Sequence, residues 1–290
     1  MDSIRRKQLV IFLGLVLLSL VLALGPGRHL LRFAYDTGDQ SYILLIPVLS
    51  AMLVYRDREN IFARTAHASL SRASIAGFAA GILLIGLGYV LPAGSELEMA
   101  ATALGLIAFW VGAYVYSFGE ASARAALFPL GMLLWMVPIP GAIIDWLTKF
   151  LQDGSTELVA VMFRATGIPV YRSGYFFSLP GQSIEVAKEC SGIRSSLCLM
   201  LLTMVIAHES LRGNARRAVL LLSTIPIVIL KNGIRIVTLT LLAIYVDPSF
   251  LTGNLHHEGG IVFFLVGMAV LVPIIALLRK GDPLYSRAAA

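Results

Sequence analysis

The chain has 290 residues, 58% of them hydrophobic and 14% charged, with a mean hydropathy of +0.82. A soluble domain is about 45–50% apolar and about 25% charged, so a water-soluble globular protein is excluded and little of the chain is left for a soluble core. The net charge of +6 does not mark a nucleic-acid binder, because the basic residues lie between apolar runs rather than in one patch.

Arg5-Arg6-Lys7 precedes a first apolar run, residues 9–24. It has the look of a signal peptide, but Pro26-Gly27-Arg28 follows instead of a small-residue cleavage site, so it reads as an uncleaved span. Further apolar runs cover about residues 42–55, 74–92, 99–117, 125–140, 190–207, 218–246 and 260–278. By the length rule of roughly 20 residues each, the fold class is an all-α polytopic membrane protein with about eight transmembrane helices. The whole chain, 1–290, is expected to form a single membrane-embedded domain. With the N-terminus inside, fourteen Lys and Arg fall in inner segments and six in outer ones, and Arg194, Lys231 and Arg235 fall within spans. That asymmetry fits the positive-inside rule and places both termini in the cytoplasm.

The largest outer segment is residues 141–189. Ile143, Ile144, Leu147, Phe150, Leu151, Leu158, Val159 and Met162 recur at helical spacing, with Asp145, Lys149, Asp153 and Glu157 between them. The pattern predicts a small extracytoplasmic amphipathic helix on the membrane surface. Residues 175–179 and 183–186 flank Pro180-Gly181, a turn signal, and predict a short hairpin. Glu96 and Glu98 read as loop charges, and His29, His67 and His208 receive no role.

The chemistry gathers in three late segments. Glu189, Cys190, Ser191, Arg194, Ser195 and Ser196 form a polar cluster that enters the sixth run. Polar groups at that depth are costly and usually functional. On one helix, Cys190 and Cys198 would be about 12 Å apart along the axis, too far for a disulfide. Both are read as free thiols, with Cys198 as packing among Leu and Met. Lys231-Asn232-Gly233-Ile234-Arg235 lies in the seventh run, and His256 and His257 precede Gly259-Gly260 before the eighth. A thiol needs a base or a cation to ionise near neutral pH, and histidine is the usual base. A guanidinium keeps its proton, so Arg235 is suited to hold a thiolate, an oxyanion or a substrate carboxylate. The bland alternatives are packing for Cys190, a solvated loop for the histidines, snorkelling for Lys231 and an interfacial site for Arg194. Arg235 resists one, since an arginine some ten residues inside a span needs a partner or a cavity. At about 1.5 Å per residue it would lie roughly 16 Å below Val246, so the seventh helix must project beyond the bilayer or the site must be wet. His256, His257 and Glu258 are too close in sequence to close a metal site, and neither metal nor cofactor is expected.

The residues Glu189-Cys190-Ser191-Gly192-Ile193-Arg194-Ser195, then Asn232-Gly233-Ile234-Arg235, then His256 with Gly260 four residues on, resemble the exosortase/archaeosortase family. Met136-Val137-Pro138-Ile139-Pro140 and Gly167-Ile168-Pro169-Val170 resemble that family's approach to the cysteine. The resemblance implies a polytopic cysteine protease or transpeptidase whose protein substrates carry a C-terminal motif, a membrane span and a basic cluster. In bacteria the motif is typically Pro-Glu-Pro, and the cleaved protein passes to an envelope acceptor. Carried over, Cys190 is the nucleophile, Arg235 the arginine and His256 the third member, with His257 a rival in register. Histidine in the third position points to the bacterial branch. Glu189, Ser191, Arg194 and Asn232 are candidates for support or substrate binding. Ser41-Tyr42 departs from the Ser-His pair that many members carry near the second span. Two other classes compete: a cysteine acyltransferase that moves a lipid chain, and a transporter with Lys231 and Arg235 at an anion site.

Overall fold

Helix α6, Glu96–Phe118, organises the first half of the protein, and almost every face of it is covered. The computed structural model describes residues 3–65, 68–180, 182–187, 192–251 and 260–280. These fall into two compact units, Met1–Pro140 and Gly141–Ala290. In the first, α1 (Ser3–Leu22) turns by 89° into α2 (Leu24–Asp36). A 3-10 stretch, Gly38–Leu45, leads into α3 (Ile46–Arg56), and short α4 (Arg58–Phe62) follows. Helix α5 (Arg72–Val90) starts on a capping box between Ser71 and Ser74.

Helices α5 and α6 approach so closely that glycine is required at the seam. A Cβ at Gly77 would lie 2.6 Å from the Gly112 Cα, and one at Gly105 would lie 2.8 Å from the Ile85 amide nitrogen. In lipid, where apolar surface alone does not drive helices together, such close backbone contact is a main source of association. On other faces of α6, Trp110 Nε1 donates to Ser19 Oγ of α1 at 2.8 Å. The unit ends in α7 (Glu120–Ala125), α8 (Leu127–Met132) and a 3-10 turn, Leu133–Met136. The fifth apolar run is therefore a ten-residue helical piece, shorter than a full span taken by itself. Val137 turns extended ahead of Pro138, which disfavours helical backbone in the residue before it. The Gln40 side chain then clamps the main chain between the two prolines, donating to Ile139 O at 3.0 Å and accepting from Ile139 N at 2.7 Å.

The second unit holds α9 (Gly141–Thr166), strands β1 (Tyr171–Ser173), β2 (Phe176–Leu179) and β3 (Gln182–Glu185), then α10 (Ile193–Ser210), α11 (Asn214–Tyr245) and α12 (Gly260–Lys280). The strands form an antiparallel meander, so the expected hairpin carries a third strand ahead of it. Phe177, Leu179, Ile184 and Val186 pack on Val159, Ala160 and Phe163 of α9 and on Ile236 and Val237 of α11. Helix α9 is long and amphipathic, as expected, and its packed face joins two of the expected apolar positions, Leu151 and Val159, to small polar ones. Thr148, Leu151, Gln152, Ser155, Thr156, Val159, Ala160 and Phe163 are buried, whereas Ile143, Trp146 and Phe150 are exposed. Among the described residues six helices are long and apolar enough to cross a membrane, or up to eight if bent pairs count as spans.

The strands fix how deep α11 sits. An open sheet edge has unpaired amides and carbonyls and is not tolerated in hydrocarbon. The part of α11 beneath the sheet, from Ile236 to Ile244, therefore lies at or beyond the membrane boundary. Length agrees: 32 residues make a helix of about 48 Å, against about 30 Å of hydrocarbon. Counting about 20 residues from Arg217, whose guanidinium caps the end of α10 through Leu211 O and His208 O, the hydrocarbon ends near Val237. Arg235 thus sits at the boundary, and the depth conflict in the sequence disappears because α11 projects.

Candidate functional site

Of the residues singled out above, Glu189, Cys190, Ser191, His256 and His257 lie outside the described residues. Gly192, Arg194, Asn232 and Arg235 are described, and Gly192 and Asn232 meet in the second unit.

Gly192 is the N-cap of α10 in the left-handed region, φ +65, where a side chain would be strained. Its carbonyl is the first acceptor of the helix. It takes the Ser196 amide at 2.9 Å and also the hydroxyls of Ser195 at 2.9 Å and Ser196 at 2.7 Å. Lys231 reaches this turn from α11 and donates from Nζ to Ser195 Oγ. A Cβ at Gly192 would stand 3.4 Å from Lys231 Nζ and 3.5 Å from Asn232 Oδ1, so both side chains press on the turn. Asn232 Nδ2 donates to Ser155 Oγ of α9 at 3.0 Å, and Gln152 Nε2 donates to Val186 O just past β3 at 2.5 Å. The polar face of α9, the middle of α11 and the two ends of the segment that carries Cys190 are therefore one hydrogen-bonded structure. Lys231, Asn232 and Ser155 are 4%, 1% and 0% exposed. The bonds answer the cost of burying them.

Arg235 is half-buried one turn beyond Lys231 on α11, and Arg194 is exposed on the first turn of α10. Cys198 is half-buried with a free thiol. Above the site, Arg172 Nη1 and Nη2 bond to Glu157 at 3.0 and 2.7 Å. The Tyr175 hydroxyl donates to Asp153 Oδ1 at 2.6 Å, and this bond holds its pKa above the ordinary value. Among the described residues no group of three His, Cys, Asp or Glu side chains is gathered as a metal site.

Sequence reasoning missed Lys231, Ser155 and Gln152 as parts of this structure. Lys231 does not snorkel; its stem runs past Gly267 of α12, 3.6 Å from a Cβ there. The available signal was Thr148, Gln152, Ser155 and Thr156 at helical spacing, small polar residues that suit a packed seam between helices. In the first unit, Glu98 is not a loop charge. It is 3% exposed, its Oε1 lies 2.8 Å from His29 Nδ1, and its other oxygen accepts the Gly94 amide.

This is the fold of a polytopic helical membrane protein with a water-side β meander and a buried polar cluster beneath it. A family model, "Transmembrane exosortase", matches residues 35–273, and the chain belongs to that family. No curated protein and no solved structure gives a match. Membership makes the chain a multi-pass protein of the lipid bilayer in a family of protein-sorting transpeptidases, generally cysteine-type, that process protein substrates.

Proposed function

We propose that the chain is a cysteine peptidase or transpeptidase of the cytoplasmic membrane that reads a tripartite C-terminal signal of the Pro-Glu-Pro type. The Cys190 thiolate attacks the scissile carbonyl carbon, and the C–N bond breaks as His256 gives its proton to the leaving amine. The resulting thioester is attacked by water or by a nucleophile on an envelope acceptor, whose proton His256 takes, and the thiolate departs. Arg235 stabilises the oxyanion or clamps a substrate carboxylate. His257 is the alternative in register. Glu189, Ser191, Arg194 and Asn232 support the turn or the substrate. The positive-inside count puts both termini in the cytoplasm and the chemistry on the extracytoplasmic side.

The observation that supports this reading most is the buried polar cluster at the entry to α10, two residues after Cys190 in sequence, with Arg235 one turn away at the membrane boundary. The test is Cys190→Ala beside Cys198→Ala, scored by mass spectrometry of a co-expressed substrate with the tripartite C-terminus. Cys190→Ala is expected to insert normally and leave the substrate uncut; Cys198→Ala is expected to cut it at a new, defined C-terminus. Processing that persists without Cys190 overturns the reading and favours a transporter, and a lipid chain on the substrate favours the acyltransferase.

A further inference from the structure

A slot in the first unit takes no part in the chemistry just described. Its floor is one ridge of α6, formed by Ile107, Val111 and Val115, and its wall is α8 with the 3-10 turn beyond it, through Leu127, Gly131 and Leu134. The two helices run in opposite directions. Helix α7 joins the end of α6 to the start of α8, and Val137 past the wall packs back on Met99 and Ala103 near the start of α6. The slot therefore lies lengthwise between them, with a volume of about 490 Å³. The wall is held from behind, where Ser50 Oγ of α3 donates to Pro129 O at 2.8 Å. It is also low: nothing lies within 4 Å of the position a Cβ on Gly131 would take.

Apolar walls give water no hydrogen-bond partners, so a cavity of this kind does not suit water. Leu127 and Leu134 at its rim are 73% and 56% exposed, which opens it sideways to the bilayer. What fits it is hydrocarbon, and its dimensions choose the hydrocarbon. From Ile107 to Val115 the floor is about 12 Å long, so the slot averages about 40 Å² in cross-section. A helix with its side chains is about 10–12 Å across and needs about 80–110 Å². Extended alkyl chains enter; a partner's spanning helix does not.

Charge marks one end. Helix α6 has 23 residues, about 35 Å, so it crosses the hydrocarbon and its Phe118 end lies at the edge. Just past that edge stand the two charged residues of the lining, Glu120 and Arg124, one turn apart with 3.5 Å between their side chains. An exposed pair of this kind is weak, so a ligand that satisfies both groups displaces it at little cost. A phosphoethanolamine headgroup does so: its phosphate suits the guanidinium, and its primary ammonium has N–H groups for the carboxylate. A choline headgroup has no N–H to give, and a phosphoglycerol headgroup leaves the carboxylate facing a net anion. We propose that the slot between α6 and α8 is a phospholipid site, in which an acyl chain lies along the slot and a phosphoethanolamine headgroup sits on Arg124 and Glu120.

The test uses the full-length protein in detergent, titrated with phospholipids of identical acyl chains bearing ethanolamine, choline or glycerol headgroups and read by native mass spectrometry. The ethanolamine lipid is expected to bind the most tightly of the three. Gly131→Leu puts a side chain into the slot and is expected to weaken that binding about tenfold. Arg124→Gln spares the slot and is expected to remove the preference for ethanolamine over choline. Arg124 is 81% exposed, so this variant keeps the proposal testable if Gly131→Leu does not insert. Equal affinity of the wild-type protein for the three lipids overturns the headgroup assignment, as does a preference that survives in Arg124→Gln. Equal binding by wild type and Gly131→Leu overturns the slot as the site. Dimers that carry no lipid and are lost in Gly131→Leu would give the slot to a second copy of the chain, against the proposal. No readout involves processing, so the outcome is independent of the cysteine reading.

Discussion

Arg235 and Lys231 sit one turn apart on the same helix, yet their environments assign them different tasks. Lys231 is sealed among three helices, and Arg235 is half-buried where α11 leaves the hydrocarbon. A planar guanidinium at a boundary suits a two-point contact with an oxyanion or carboxylate, which an ammonium cannot copy. Arg235→Lys is therefore expected to insert normally and to retain a reactive Cys190. It should process substrate at least about a hundredfold more slowly, the cost of one lost donor at about 3 kcal/mol. Single-turnover assays on membranes check this, and rates within a few fold of wild type would leave Arg235 a structural charge. The Glu98 pair is a second case. Ser95-Glu96-Leu97-Glu98 carries the capping-box spacing, and Ser95 Oγ does accept the Glu98 amide. The cap was thus legible in sequence, but His29, 69 residues away, was not, because nothing local ties the two. Glu98→Ala removes both charge-assisted hydrogen bonds of a buried carboxylate, to His29 and to the Gly94 amide, and is expected to cost about 1–3 kcal/mol, seen as a lower unfolding temperature in detergent.

Helices declare themselves by length and hydropathy, and here the runs became helices at nearly the expected places. What the sequence concealed was the face each helix packs. In water the apolar stripe turns inward, so periodicity names the buried side. In lipid the outside is apolar as well, and the inner seam is marked by small and weakly polar residues. Helix α9 follows the second rule over Thr148, Gln152, Ser155 and Thr156, and so its apolar Trp146 and Phe150 face outward. The seam of α5 and α6 follows it through Gly77, Gly81, Gly105 and Gly112. Gly105→Val should force these backbones apart and destabilise the first unit by about 1–3 kcal/mol, measurable as earlier thermal aggregation. Gly86→Val is the control, since nothing lies within 4 Å of its Cβ position. The meander depends on Phe177, which is fully buried against Phe163. Phe177→Ala should cost about 3–5 kcal/mol and expose the sheet and the outer end of α11 to protease.

Taken as a whole, the chain spells its membrane nature and its helix count in composition and hydropathy. The projection of α11 needed the structure, because the apolar run continues unbroken to Val246 and only the strands packed on it reveal where water begins. Orientation is checked with intact spheroplasts. Cys190 is expected to react with an impermeant thiol reagent from outside, and labelling only after the membrane is opened would reverse the topology. The sheet on α11 has one more effect. Membranes differ in thickness, and a helix that is free to slide or tilt takes up the mismatch at a cost of fractions of a kcal/mol per ångström. A helix wearing a β collar at one end cannot sink past it. Thickening or thinning the bilayer should then be absorbed at the opposite end of α11, near Arg216 and Arg217. The level of Arg235 would keep its registry with the membrane surface on the side of the sheet, and alkylation of Cys190 should stay constant across vesicles of short and long acyl chains.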